Sequence, residues 1–309
     1  MARQSRAKLR YLDGEVLRRV APLQLVARQV VEGLRVGMHR SPLRGFSTEF
    51  AHHRPYAAGD AVRHVDWRVY GRTERYYVRL YDAETNLDVY LLLDASSSMR
   101  YGSGKLTKLE YAKYLAASIA YLAVEQRDSV GLGVFDSRLR TFVPPSGTAG
   151  VVGTIDRALA AARDEPRTDV AALLHEFARR IARRSFVVVL SDLFGSADQC
   201  AAGLDHLAFE GHNIAVFHVL DPHELELPFG GTCRFVGLEG EPEITTQPRR
   251  IRAAYQREVQ AFMAQIRRAC EANHADYVPV DTSRPLDVVL AEWLLRRSQL
   301  TGAGTRQER

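Results

Sequence analysis

The chain has 309 residues, 46% hydrophobic and 26% charged, ordinary proportions for a soluble globular protein that buries a core as one large domain or two smaller ones. No run of eighteen apolar residues occurs, and the most apolar helical stretch, Ala112 to Val124, contains Lys113 and is too short to span a bilayer. Arg-rich Met1 to Arg10 precedes no apolar signal region, so a cytoplasmic protein without a secretory leader is expected.

The net charge of +5 is local, because residues 1–47 hold ten Arg and Lys against three acids. Such an arm can meet nucleic acid, anionic lipid or an acidic protein face, or simply be solvated. Leu12 to Val36 has helical apolar spacing through Val16, Val20, Leu23, Val26, Val30 and Leu34, with Pro22 separating two short helices. Residues 1–36 are therefore expected to form a basic helical arm, and residues 37–86 a small accessory element ending in the alternating strand Tyr76 to Tyr81.

From Leu87 the pattern becomes that of a parallel α/β sheet, expected to run to residue 299 and to be followed by a disordered tail, 300–309. Strands are predicted at Asp88 to Leu93, Val130 to Phe135, Phe186 to Ser191, Ile214 to Val219 and Tyr277 to Val280, with Leu139 to Val143 an antiparallel edge. Helices are predicted at Lys108 to Glu125, Val151 to Ala162, Asp169 to Arg183, Ala197 to Glu210, Arg249 to Asn273 and Pro285 to Arg297. Cys233 to Leu238 and Glu243 to Thr246 read as a small inserted hairpin. The expected class is α/β, a doubly wound and mostly parallel sheet. Cys200, Cys233 and Cys270 lack C-x-x-C spacing and read as reduced structural thiols.

The chemistry concentrates in Leu91-Leu92-Leu93-Asp94-Ala95-Ser96-Ser97-Ser98-Met99, a D-x-S-x-S run at the end of the most apolar strand. Chance yields that spacing on the order of once in several thousand positions at average composition. Mg²⁺ is a hard cation that wants six oxygens at about 2.0 to 2.1 Å and keeps several waters. Ser96 and Ser98, on a turn leaving a strand, can aim both hydroxyls at one point while Asp94 supplies charge. The carboxyl ends of neighbouring strands offer two further candidates, Asp192 after Phe186 to Ser191 and Thr168 in the turn Pro166 to Asp169. Two carboxylates and three hydroxyls would leave one coordination position for a carboxylate from another molecule. The competing reading of Asp94, Ser96, Ser98 and Asp192 is helix N-capping.

Asp94, Ser96, Ser98, Thr168 and Asp192 together resemble the metal ion-dependent adhesion site of von Willebrand factor type A domains, with Arg167 where a Gly usually precedes the Thr. Upstream, Gly45-Phe46, Glu49-Phe50, Arg54, Tyr56, Gly59-Asp60, Arg63 and Asp66-Trp67 resemble the signature of the bacterial "domain of unknown function 58" family in its shorter form without membrane helices. That resemblance spans roughly Leu23 to Arg297. It implies a Rossmann-like type A fold, a bound Mg²⁺ (or Mn²⁺ or Ca²⁺), and a partnership with a MoxR-type AAA ATPase or its client protein, whose carboxylate would reach the metal. The expected role is therefore a protein-interaction module, not an enzyme.

Other readings are weaker. An Mg²⁺-dependent phosphate-ester hydrolase would use Asp94 as nucleophile, but Ser96 stands where such enzymes need a second acid, and no G-x-S-x-G elbow is present. Nucleic-acid binding has charge in its favour but no recognisable motif. Gly102-Ser103-Gly104-Lys105 lacks the Ser or Thr of a phosphate loop. His39, His52, His53 and His64 read as surface or packing residues, and Arg54, Arg63, Asp60 and Asp66 as ion pairs that pin the accessory element to the core.

Overall fold

The computed structural model describes residues 9–28, 30, 50–56, 65–81, 87–148, 150–163, 170–181, 183–195, 197–239 and 241–303. Two compact units emerge, one of residues 1–33 with 87–309, the other of residues 34–86. Among the described residues, no helix is long and apolar enough to cross a membrane.

In the smaller unit, β1 (Phe50–Pro55) pairs antiparallel with β2 (Tyr77–Tyr81), and α2 (Trp67–Thr73) lies between them in sequence. Asp66 caps α2, its carboxylate accepting from the amides of Arg68 at 2.9 Å and Val69 at 3.3 Å. The expected ion-pair partners Asp60 and Arg63, and His39 and His64, lie outside the described residues, as do the side chains of Arg54, His52 and His53.

The larger unit opens with α1 (Gly14–Val20), capped by Asp13, and a 3₁₀ turn (Ala21–Leu23) holding Pro22 at the expected break. This part of the arm is anchored. The Arg10 and Tyr11 amides both donate to Asp156 at 2.9 Å, and the buried Tyr11 ring packs edge-on against Tyr114 at 5.1 Å.

The remaining elements are β3 (Asp88–Asp94), α3 (Lys108–Glu125), β4 (Ser129–Phe135), β5 (Leu139–Ser146), α4 (Gly150–Ala161), α5 (Val170–Arg180), β6 (Phe186–Ser191) and α6 (Ala197–Phe209). They continue with β7 (Asn213–Leu220), α7 (Pro222–Glu226), β8 (Cys233–Phe235), β9 (Ile244–Thr246), α8 (Pro248–Ala272), β10 (Asp276–Asp281) and α9 (Leu286–Ala303). Six strands form one sheet in the order β10-β7-β6-β3-β4-β5, parallel throughout except for the antiparallel edge β5. Helices α5, α6 and α8 cover one face, where Leu174, Phe177, Leu204, Leu207 and Ile266 pack over Leu92, Val187, Val189 and Val216. On the other face α3 lies across the central strands, and Trp293 of α9 stacks with Phe186 and meets Phe217 edge-on. Central strands buried on both faces explain the unbroken apolar runs.

Strand order reverses at β3, since the chain steps from β3 to β4 on one side and later to β6, β7 and β10 on the other. Loops on either side of such a reversal part and leave a crevice at the carboxyl ends of the two strands. The β3 and β6 ends, paired Leu93 to Leu190, therefore frame the natural ligand position.

Several element ends shift from expectation, α5 stopping at Arg180 and β8 at Phe235 among them, and three further differences have a physical reason. β5 runs on through Pro144 and Pro145 to Ser146, because an edge strand need not donate on its open side. α9 continues to Ala303, four residues into the expected tail, of which 304–309 lie outside the described residues. α7 was not foreseen: at five residues it is too short to show periodicity, although Asp221 and Glu224 form the capping box that starts it.

Candidate metal-binding site

β3 delivers Asp94 into the crevice behind Leu91, Leu92 and Leu93, all fully buried. Asp94 is itself fully buried and held by neutral donors, the Ser96 amide to Oδ1 at 2.9 Å and the Ser191 hydroxyl to Oδ2 at 2.6 Å. Burial raises its carboxyl pKa, the Asp192 charge raises it further, and the Ser191 and Ser96 hydrogen bonds only partly oppose them; the result is about 7.

Ser96 occupies the N-cap position of the 3₁₀ turn Ser97–Arg100, yet its side chain caps nothing. Its Oγ lies 3.0 Å from Ser98 Oγ instead, with both residues buried. The capping explanation thus fails for the residue it suited best. Ligands at 2.0 to 2.1 Å on adjacent corners of an octahedron are about 2.9 Å apart, so the two hydroxyl oxygens have the spacing of one Mg²⁺ edge.

Asp192 follows β6, accepts from the Phe194 amide at 3.1 Å, and stands too far before α6 to cap it. Its backbone is pinned by His218, fully buried in β7. Burial lowers the imidazole pKa, with Asp192 and its carbonyl pulling the other way, leaving it at about 4. A neutral ring facing the Asp192 carbonyl at 2.9 Å must donate through Nε2, so Nδ1 accepts from the Tyr277 hydroxyl, also at 2.9 Å.

Lys108 was not foreseen as part of this site. It opens α3, and its ammonium, 2% exposed, donates to Asp192 Oδ2 at 2.7 Å and to Glu224 Oε1 of α7 at 2.6 Å. Burial lowers its pKa, but the charges of Asp192 and Glu224 outweigh burial and the net shift is upward. One hint was present, because a cation in the first turn of a helix opposes the helix dipole and needs another reason to be there. Glu239, from the β8–β9 loop, accepts from the Ser98 amide at 3.3 Å.

The crevice thus sets the Asp94, Glu224 and Glu239 carboxyls about the charge of Asp192, with Lys108 paired to Asp192 and Glu224, and burial pushes the Asp94, Glu224 and Glu239 carboxyls upward. This acidic surplus, beside paired hydroxyls, suits a hard divalent cation. Among the described residues no three His, Cys, Asp or Glu side chains form a metal cluster, so the candidate set is of a different kind, two hydroxyls with two carboxylates. Thr168 and Arg167 lie outside the described residues.

Two openings reach the crevice. One, of about 470 Å³, is lined by Ser98, Glu239 and apolar Phe229, Phe235 and Leu238; the other, of about 350 Å³, by Lys108, Asp192, Phe262 and Met263. The Gly102–Lys105 loop embraces a carboxylate, with the Ser103 amide and hydroxyl donating to Asp221 at 2.8 and 2.6 Å. Cys200, Cys233 and Cys270 are free thiols.

Uncharacterized proteins of Mycobacterium tuberculosis and Mycobacterium bovis are each 27% identical to this chain over 297 residues, covering 94% of it and 93% of the relative. Among solved structures, the conserved hypothetical protein BatB from Bacteroides thetaiotaomicron aligns with a TM-score of 0.47 and 18% identity, over 69% of this chain and 99% of its own. The family described as "Protein of unknown function DUF58" matches residues 52–265, well over half the chain, and to that family this protein belongs.

Proposed function

We propose that this protein is a divalent-cation-dependent protein-interaction module, built like a von Willebrand type A domain, that holds Mg²⁺ through Asp94, Ser96, Ser98 and Asp192, with Thr168 as a further ligand. The observation that carries this reading is the pair of buried hydroxyls 3.0 Å apart next to a buried aspartate held only by neutral groups, at the sheet's reversal point. A bound cation would offset the acidic surplus and accept a carboxylate from a partner. Ser96 in place of a second acid favours binding over hydrolysis. The family resemblance in the sequence makes a MoxR-type AAA ATPase, or the client it acts on, the partner of choice.

The test is capture of that ATPase by the full chain with Mg²⁺ and with EDTA, alongside calorimetry of Mn²⁺ binding. Asp94→Ala should abolish capture and weaken Mn²⁺ by at least about a hundredfold, the loss of a ligand exceeding the 10- to 100-fold typical of outer partners. Capture indifferent to EDTA and to the substitution would sink the proposal.

A further inference from the structure

The opening of about 470 Å³ beside the crevice is walled by rings. His223 meets Phe229 edge-on at 5.4 Å, Phe229 meets Phe235 the same way at 5.8 Å, and Tyr101 and Tyr255 add to the lining. Arg252 of α8 fixes part of that wall, its guanidinium donating to the Leu227 carbonyl at 2.9 Å and the Phe229 carbonyl at 3.1 Å. Apolar surface continues at the mouth, where Phe194, Val236, Leu238 and Ile244 are between 46% and 60% exposed. An exposed apolar patch with a polar rim marks a surface for binding another protein. Its carboxylates, Glu224, Glu239 and Glu241, are matched by no Lys or Arg among the described residues that line the opening. Lys108 reaches Glu224 from α3, whereas neutral groups hold the other two: the Ser98 amide and hydroxyl donate to Glu239, and the Glu239 amide donates to Glu241. Burial raises the Glu239 carboxyl pKa, and the Asp192 and Glu241 charges raise it further. An aromatic cavity with surplus negative charge at its rim is complementary to a cation that carries apolar neighbours.

We infer that this cavity receives an arginine side chain of a partner protein, its guanidinium set among the rings and paired with Glu239 and Glu241, while apolar residues flanking that arginine lie on Phe194, Val236, Leu238 and Ile244. Arginine suits the cavity better than lysine, because its planar guanidinium is weakly hydrated, stacks on aromatic faces and meets carboxylates with two parallel donors. A small amine would leave the apolar rim in water, so the occupant is a peptide segment. This docking needs no bound cation and goes beyond the cation-binding reading; a partner engaging both places would carry an arginine close to the carboxylate it offers the metal.

The experiment is an NMR titration of the full chain with an acetylated and amidated Ser-Leu-Arg-Leu-Ser peptide, at low salt and in EDTA so that the result is independent of any cation. Citrulline in place of the arginine keeps the shape and removes the charge, and should weaken binding to wild type by at least about tenfold, the combined loss of two surface ion pairs and a cation–π contact. The double variant Glu239→Gln, Glu241→Gln should lose at least about fivefold for the arginine peptide and stay within about twofold of wild type for the citrulline peptide. Glu210→Gln, which removes one charge where α6 ends at the opposite edge of the sheet, should bind the arginine peptide within about twofold of wild type. Equal binding of the two peptides by wild type overturns the inference, as does a double variant that matches wild type or no detectable binding of the arginine peptide. Acetyl-arginine-amide binding as tightly as the peptide overturns it too, since the cavity would then be a small-molecule site.

Discussion

Two fully buried aspartates stand at the carboxyl edge of the same sheet, Asp94 ending β3 and Asp221 following β7, and they meet opposite fates. Burial alone would raise the pKa of Asp221, but the Ser103 hydroxyl and amide and the His223 amide hold it below the usual range. It caps α7, clamps the Gly102–Lys105 loop and receives a further bond from Thr282 at 3.4 Å. Asp94 is held by neutral donors alone, the Ser96 amide and the Ser191 and Ser96 hydroxyls, and faces the charge of Asp192. Burial is common to both; donor supply separates a finished structural carboxylate from one with capacity left for a cation.

The comparison can be broken most severely through Lys108, the cation the crevice already owns. Lys108→Met strands Asp192 and Glu224, and removing one partner of a buried pair costs about 3–5 kcal/mol. That loss should appear in urea denaturation with EDTA and shrink when Mg²⁺ is added, because the cation would take over the charge; identical losses in both would show that Asp192 takes no part in cation binding.

Exchanging the two aspartates for alanine sharpens the contrast. Asp221→Ala removes an N-cap and charge-assisted bonds and should cost about 2–4 kcal/mol while leaving Mn²⁺ affinity within about twofold. Asp94→Ala relieves a buried like-charge contact, so its EDTA stability should match or exceed wild type. Strong destabilisation by Asp94→Ala would make it a structural residue after all.

Taken per pH unit, the effect of pH is the smallest. Asp94 folds with its carboxyl raised from 3.8 to about 7, so between those values the folded chain keeps a proton that the unfolded chain has shed. Stability from this group is complete below about 4 and falls as pH rises through 7, by at most about 1.4 kcal/mol per unit. Asp94→Asn cannot lose that proton, so its advantage over wild type in EDTA should grow across the window, a difference in which the His218 titration cancels. Mg²⁺ should flatten the wild-type profile. A constant difference across the window would deny that Asp94 is electrostatically uncompensated.

Local chemistry made much of this legible in advance. Phe186–Ser191 and Lys108–Glu125 have their expected bounds because strand and helix periods, and the Thr107 cap, are written into neighbouring residues. D-x-S-x-S was visible because a turn brings Asp94, Ser96 and Ser98 together within five positions. Only the tertiary structure could add Lys108 to Asp192, Glu224 to Lys108 and Glu239 to Ser98, contacts that span 84, 116 and 141 residues. Nothing in a local pattern encodes them: they follow from β6 lying beside β3, and from where the short helix after β7 and the β8–β9 loop fold back. The sequence by itself determined the elements and the cation-seeking turn, since propensity and hydrogen bonding act over a few residues. Which charges surround that turn was decided by packing, because buried electrostatics depends on distance in space.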